Sequence, residues 1–283
     1  MSGDNKSCIF CGAVGKLTGE HIWGGWTSKY VPSPTNKHNF HSVVAATPTE
    51  EKSEPVRIVP GDPLNSKVKV VCKPCNNGWL SQIQEKAKPY LIPLFDGQNA
   101  TLGKEAQRWI ATWAAMATMT GEYLSRDEQN VAVPQKERTR FMQARRPPNN
   151  WRIWIGKYER EKWAGQWRHN SFPIYPEKEI MQAAASGKRL PNHQTTSFVI
   201  GKLFVHVFSG HFRGIIMRWD WQNASAGSYV VVAWTGANEG FADPSTQASA
   251  QHRVGRNHYC FGHHIGTYNL LSSSRAAIVV RHS

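Results

Sequence analysis

Residues 72–79 read Cys72-Lys73-Pro74-Cys75-Asn76-Asn77-Gly78-Trp79, and 60 residues separate this cysteine pair from an earlier one, Cys8-Ile9-Phe10-Cys11. A fifth cysteine, Cys260, stands alone. Two intervening residues let both sulfurs of a pair, with local amide groups, face one ion, and two such pairs supply the four thiolates of a tetrahedral zinc shell. Disulfides are rare in a reducing compartment, so paired cysteines there read as metal ligands. Four ordinary buried or redox cysteines are the bland alternative. The gap is wider than in a compact zinc finger, so an insertion must lie between the two halves.

Gly19-Glu20-His21-Ile22 follows the first pair, and Asn76 directly follows the second. The order C-x-x-C, Glu-His-Ile, C-x-x-C-Asn resembles the HNH endonucleases (ββα-metal, or His-Me finger), closest to the zinc-braced endonuclease VII type. The resemblance covers residues 8–92, about a third of the chain. It implies a treble-clef-like module in which Cys8, Cys11, Cys72 and Cys75 hold a structural zinc. It further implies that Glu20 and Asn76 hold a catalytic Mg²⁺ or Mn²⁺ and that His21 is the general base. Most relatives carry Asp where this chain has Glu20. For the middle residue of the motif, which orients the base, Asn65 is the first candidate, with His38 and His41 behind it.

The chemistry supports those roles apart from the family. Phosphodiester hydrolysis needs a nucleophile at neutral pH and a cation beside the phosphate, because charge builds on its oxygens. A neutral histidine suits the first task. One carboxylate and one amide oxygen suit a hard divalent ion, whereas thiolates do not, so two metals with separate duties are implied. The bland reading of Glu20 and His21 is a surface ion pair beside a zinc ribbon.

The periodicity predicts strands over residues 38–46, 56–59 and 67–71, where Val68 and Val70 alternate with Lys67 and Lys69. Residues 8–12 form the first knuckle, with Gly12 supplying its turn, and 48–55 form the tip of an inserted loop. After Cys75, Leu80, Ile83 and Ala87 recur at helical spacing until Pro89, which is expected to stop the helix. Trp79 reads as core. Residues 104–124 form an amphipathic helix with Ala106, Trp109, Ile110, Trp113, Ala117 and Leu124 on one stripe. A basic helix is expected over 136–146, and Arg138, Arg140, Arg145 and Arg146 are its candidate phosphate contacts, a solvated face being the alternative. Residues 151–156 read as a strand and 176–186 as a short helix closed by Gly187. Residues 195–208 and 212–221 read as a hairpin turning at Ser209-Gly210-His211, with 229–234 as a third strand. His258, Cys260, His263 and His264 form a weak second metal cluster.

Composition bounds the rest. The chain has 283 residues, 40% of them hydrophobic, with 12 Trp, enough apolar mass to offset the entropy of ordering a large fold. No apolar run approaches the roughly 18 residues of a membrane span, and the polar N-terminus has no secretory pattern, so a cytoplasmic protein with no membrane partner is expected. Glycine-rich phosphate loops and internal repeats are absent, which argues against an ATP-driven machine. There are 34 Lys+Arg against 20 Asp+Glu, net +14. Residues 1–95 carry 11 basic and 7 acidic groups, net +4, and residues 96–283 carry 23 and 13, net +10. Such an excess attracts a polyanion, and nucleic acid, double-stranded DNA first, is the expected partner.

The expected fold is α+β: a zinc-braced ββα-metal nuclease module over 1–95, then a larger α+β region over 96–283 with an antiparallel sheet that positions nucleic acid or senses a partner. The expected activity is metal-dependent endonucleolytic hydrolysis. A non-catalytic zinc-stabilised nucleic-acid-binding protein and a nuclease effector triggered through the C-terminal region are the alternatives, and homo-oligomerisation stays open.

Overall fold

The computed structural model describes residues 6–32, 38–46, 51–53, 57–60, 62–124, 131–158, 166–172, 191–210, 215–219, 230–234 and 276–280. The fold is mixed α+β, with helices and largely antiparallel sheets.

Strands β1 (Leu17–His21) and β5 (Lys67–Cys72) pair antiparallel although 45 residues lie between them. Within that insertion, β2 (His38–Ala46), β3 (Glu51–Ser53) and β4 (Arg57–Pro60) leave the β1–β5 pair and join a larger sheet. The remaining elements are β6 (Trp151–Lys157), β7 (Gln166–Phe172), β8 (His193–Ile200), β9 (Leu203–Gly210), β10 (Ile215–Trp219), β11 (Val230–Trp234) and β12 (Ala276–Val280). The large sheet has eight strands in the order β11-β6-β9-β8-β7-β2-β3, with β4 also on β2. Every pairing in it is antiparallel except β2 with β7. β10 and β12 form a separate pair.

The second knuckle begins with a single helical turn, α1 (Lys73–Cys75), continues through a wide π turn at Asn76–Leu80 kinked at Gly78, and runs into α2 (Ser81–Phe95). Pro89 does not stop this helix, contrary to the expectation; both Pro89 and Pro93 lie inside it. Each proline removes one backbone hydrogen bond, but Ile83, Ala87, Leu91 and Phe95 keep a continuous buried stripe across them, and that burial outweighs the local loss.

α3 (Lys104–Gly121) is the central pillar, followed by a 3-10 turn at Glu122–Leu124. It is wider in its burial than a single stripe: every residue from Ile110 to Gly121 is buried. One side meets α2 and the other meets the sheet, where Trp113 lies 6.4 Å from Phe95 and 5.8 Å from Phe198 between ring centroids. The apolar core is continuous from Cys8 through α2 and α3 to Val207 on β9.

α4 (Gln135–Ala144) is the expected basic helix, and it ends where Arg145 turns left-handed (φ 52°) ahead of Pro147 and Pro148. Arg138 does not contact solvent, contrary to its expected phosphate role. It is 1% exposed, its guanidinium pairs with Glu122, and it donates to Met119 O (2.6 Å) and Val133 O (3.2 Å). Glu122 also accepts from the Ala132 and Val133 amides (3.0 and 3.2 Å), so the pair anchors the chain between α3 and α4.

The hairpin expected at Ser209-Gly210-His211 turns elsewhere. β8 and β9 are joined by Gly201-Lys202, with Gly201 at φ 57°, and Ser209 and Gly210 lie inside β9. Two consecutive apolar strands flanking a two-residue turn had merged into one apolar run in the sequence. β10 pairs with β12, and β11 adds to β6 at the sheet edge. Strand β7 gave no sequence signal because its inward row is Trp167, His169 and Ser171, which is largely polar. The helix expected over 176–186 and the cluster of His258, Cys260, His263 and His264 lie outside the described residues, as does most of the loop tip at 48–55.

Candidate metal centre and the adjoining strand site

The β1–β5 register brings the two cysteine pairs together. Thr18 faces Val71 and Gly19 faces Lys69, so Val70 is an extra, bulged residue. Its carbonyl accepts from Ile9 N (3.0 Å), which ties the first knuckle to β5. Within that knuckle Gly12 N donates to Cys8 O (2.9 Å), with Gly12 at φ 74°.

The sulfurs of Cys8, Cys11, Cys72 and Cys75 all lie within 4.8 Å of one another, and Cys11 and Cys72 are 3.6 Å apart. A tetrahedron with metal–sulfur bonds of about 2.3 Å has sulfur–sulfur edges of about 3.8 Å, so the cluster fits a zinc-sized ion. All four thiols are free, with Cys8 and Cys75 buried and Cys11 exposed. Burial pushes the Cys72 and Cys75 thiols up. Burial acts the same way on Cys8, but hydrogen bonds from the Cys11, Cys72 and Phe10 backbone outweigh it and bring that thiol down to about 7. The four-cysteine set is the one cluster of metal-ligand side chains of this kind among the described residues.

Beside it, Asn76 is in helical conformation at the head of the π turn, and its Nδ2 donates to Thr18 Oγ1 (2.9 Å) and Gly19 O (3.5 Å). Thr18 Oγ1 in turn donates to Val71 O (2.9 Å). The amide is thereby fixed against β1 one residue before Glu20 through its Nδ2, and these bonds leave Oδ1 uncommitted.

Glu20 and His21 point to opposite faces of β1. Glu20 is 2% exposed and faces α2, where Gln84 Nε2 donates to its Oε1 (3.1 Å). Trp26 Nε1 donates to Gln84 Oε1 (3.0 Å), which orients that amide. Burial raises the Glu20 carboxyl to about 7, against the opposing Gln84 bond. With no cation among its described partners, burial of this carboxyl favours its neutral form.

His21 is half-buried opposite Lys67, with Gly19 and the exposed Lys69 along the same face. Burial, then the charge of Lys67, lowers its pKa, so the imidazole is neutral at pH 7. A Cβ at Gly25 would sit 3.0 Å from His21 Cε1, so a larger residue there would press the ring aside by a few tenths of an ångström. Beyond His21 the chain is anchored by Ile22 and Trp23 in the core, with Trp113 Nε1 donating to Trp23 O (3.3 Å).

The structure thus gathers the four cysteines, and it joins Asn76 to β1 next to Glu20 and His21. Gln84, Trp26, Lys67 and Gly25 were missed in the sequence; the run Gly24-Gly25-Trp26 just after His21 was the available signal. The exposed amide of Asn65 donates to Asp62 Oδ2 (3.5 Å), and His38 and His41 lie on β2 in the large sheet. Trp79 is core as expected, with Phe10 at 4.9 Å and Phe141 at 5.8 Å. Arg140 and Arg146 are exposed, and Arg145 is half-buried over the Trp79 ring at 4.3 Å.

Comparison of the chain with protein-family models, with curated proteins and with solved structures finds no match.

Proposed function

We propose that the chain is a metal-dependent phosphodiester hydrolase of the HNH type acting on nucleic acid, with double-stranded DNA the first substrate to test. The observation that carries the reading is the fixation of Asn76 against β1 beside Glu20 and His21, directly after the last cysteine of the cluster. A surface ion pair beside a zinc ribbon has no need of that amide.

In this reading zinc on Cys8, Cys11, Cys72 and Cys75 is a closed brace that fixes α2 against the strand pair and performs no chemistry. Glu20 and Asn76 hold a Mg²⁺ or Mn²⁺ ion, which when bound supplies charge stabilisation at the phosphate oxygens. His21 is the last residue of β1, on the face opposite Glu20, and its neutral ring would take the proton of the attacking water at the strand end, within reach of both faces. Lys67 and Lys69 supply positive charge on the same face for the phosphate backbone. Residues 1–95 carry the reaction, and 96–283 position the nucleic acid or receive a signal. A reducing cytoplasmic setting keeps the thiols available.

The near-complete burial of Glu20 favours a second reading, a zinc-stabilised nucleic-acid-binding protein without turnover. Cleavage of a supercoiled plasmid in Mg²⁺ or Mn²⁺ separates the two. His21→Ala should retain zinc, fold and affinity while turnover falls by about 10² to 10⁴, the range for losing a positioned base. Undiminished cleavage by that variant ends the HNH mechanism.

A further inference from the structure

We infer that Arg145 is the outer counter-charge of the four-cysteine metal centre, stacked on Trp79 so that its guanidinium faces the thiolates. A metal ion of charge +2 on four thiolates carries net −2, and Cys8 and Cys75 are buried, so water screens that charge poorly. A nearby fixed cation stabilises such a centre and holds its sulfurs ionised.

Four features of Arg145 converge on this role. Its guanidinium lies 4.3 Å from the Trp79 ring centroid, and Trp79 is four residues after Cys75 in the same kinked helical segment. Its Nη1 is buried without a hydrogen-bond partner, an unusual state for a guanidinium donor that a thiolate face would relieve. Its backbone is left-handed, the one non-glycine residue with positive φ among the described residues, at a helix end where glycine or asparagine is the usual occupant. Finally, α4 is docked on the first knuckle. Gln135 Nε2 and Thr139 Oγ1 both donate to Phe10 O (3.4 and 3.3 Å), and Phe141 lies 6.2 Å from Phe10. The helix therefore delivers Arg145 to the metal centre as a rigid arm. Burial lowers the Arg145 pKa, and the charge of Cys75 opposes that lowering.

Arg145 is accordingly withdrawn from the set of phosphate contacts. Zinc loading and the seating of α4 become one coupled event, linking the cysteine cluster to residues far along the chain.

The inference rests on the metal reading of the four cysteines, and one experiment tests each separately. Full-length protein is loaded with zinc, and its affinity and release rate are measured by competition with a chromogenic chelator for wild type, Arg145→Gln and Arg145→Lys. Circular dichroism is recorded for each. Arg145→Gln removes the charge and leaves a shorter side chain with one amide donor group, and it should weaken zinc binding by about 10-fold, within the range for losing a partner just outside a metal shell. Arg145→Lys should recover most of that loss. Zinc affinity and release within twofold of wild type in Arg145→Gln overturn the inference, as does a Lys variant no better than Gln. Should Arg145→Gln not fold, Trp79→Phe, which weakens the stacking platform, must speed zinc release, and unchanged release overturns the inference. Wild type that binds no zinc overturns the metal reading itself.

Discussion

Replacing Arg138 by Met tests whether the central arginine of α4 serves the fold or the nucleic acid. Its guanidinium is 1% exposed and occupied by Glu122, Met119 O and Val133 O. Met fills much of the same volume, so cavity formation contributes little. What is lost is the cation opposing burial at Glu122, whose carboxyl burial already pushes up. Breaking a buried pair by removing one partner costs about 3–5 kcal/mol, against about 0.5 kcal/mol or less for an exposed residue such as Arg140. With a urea m-value of about 3 kcal/mol/M, the midpoint should fall by at least about 1 M for Arg138→Met and hardly move for Arg140→Ala. Adding Glu122→Gln should cost less than the sum of the two single changes, because the second change removes the stranded charge. Unfolding would be followed by far-ultraviolet circular dichroism, and DNA affinity measured over a salt series below the transition. The salt slope should stay unchanged in Arg138→Met and flatten when Arg140 and Arg146 are both reversed to Glu. A midpoint within about 0.3 M of wild type, together with a flattened salt slope in Arg138→Met, would refute the buried-anchor assignment.

Three further outcomes are expected. Cys72→Ser should lose metal and cooperative folding together, read by metal analysis and melting, since a structural zinc site contributes apparent binding energies of roughly 10–16 kcal/mol. Gly25→Ala should lower plasmid cleavage by about tenfold or more with zinc content intact, because the added methyl displaces the His21 ring and positioned chemistry tolerates little movement; equal cleavage would separate Gly25 from the site. Burial lowers the His206 pKa to about 3, so between pH 6.5 and 3 the unfolded chain takes up a proton that the folded chain refuses. This histidine's contribution is full above pH 6.5 and declines by about 1.4 kcal/mol per unit below it, so urea titrations at pH 7, 6 and 5 should show a shallower decline in His206→Gln.

Local patterns were legible where one short stretch decides its own structure. The knuckle at 8–12, strands β2 and β5, and the α3 and α4 helices follow from spacing and periodicity alone. Pro89 misled because a helix's tolerance for proline depends on what its far end buries, here Leu91 and Phe95 against the core. The β8–β9 turn misled because both strands are buried on both faces, which erases the alternation that marks a strand. β7 was silent because its buried row holds His169 and Ser171, which are stabilised by partners such as Thr196 Oγ1, 2.7 Å from His169 Nδ1.

For the candidate site the same division holds. Cysteine spacing by itself determined which four sulfurs could share an ion, because each pair is a local turn, and Asn76 was marked by adjacency to Cys75. Tertiary structure alone decided that Glu20 turns inward to Gln84, that His21 shares its face with Lys67 and approaches Gly25, that Arg138 leaves the solvent and that Arg145 lies half-buried on Trp79. Charge counts cannot distinguish these arginines, since four basic residues within nine positions read alike. What separates them is the opposite element: Glu122 waits for Arg138 and Trp79 for Arg145, while Arg140 and Arg146 are exposed. Burial and partnership are properties of that second surface, which lies far away along the chain and becomes a neighbour only when α3 and α4 have packed.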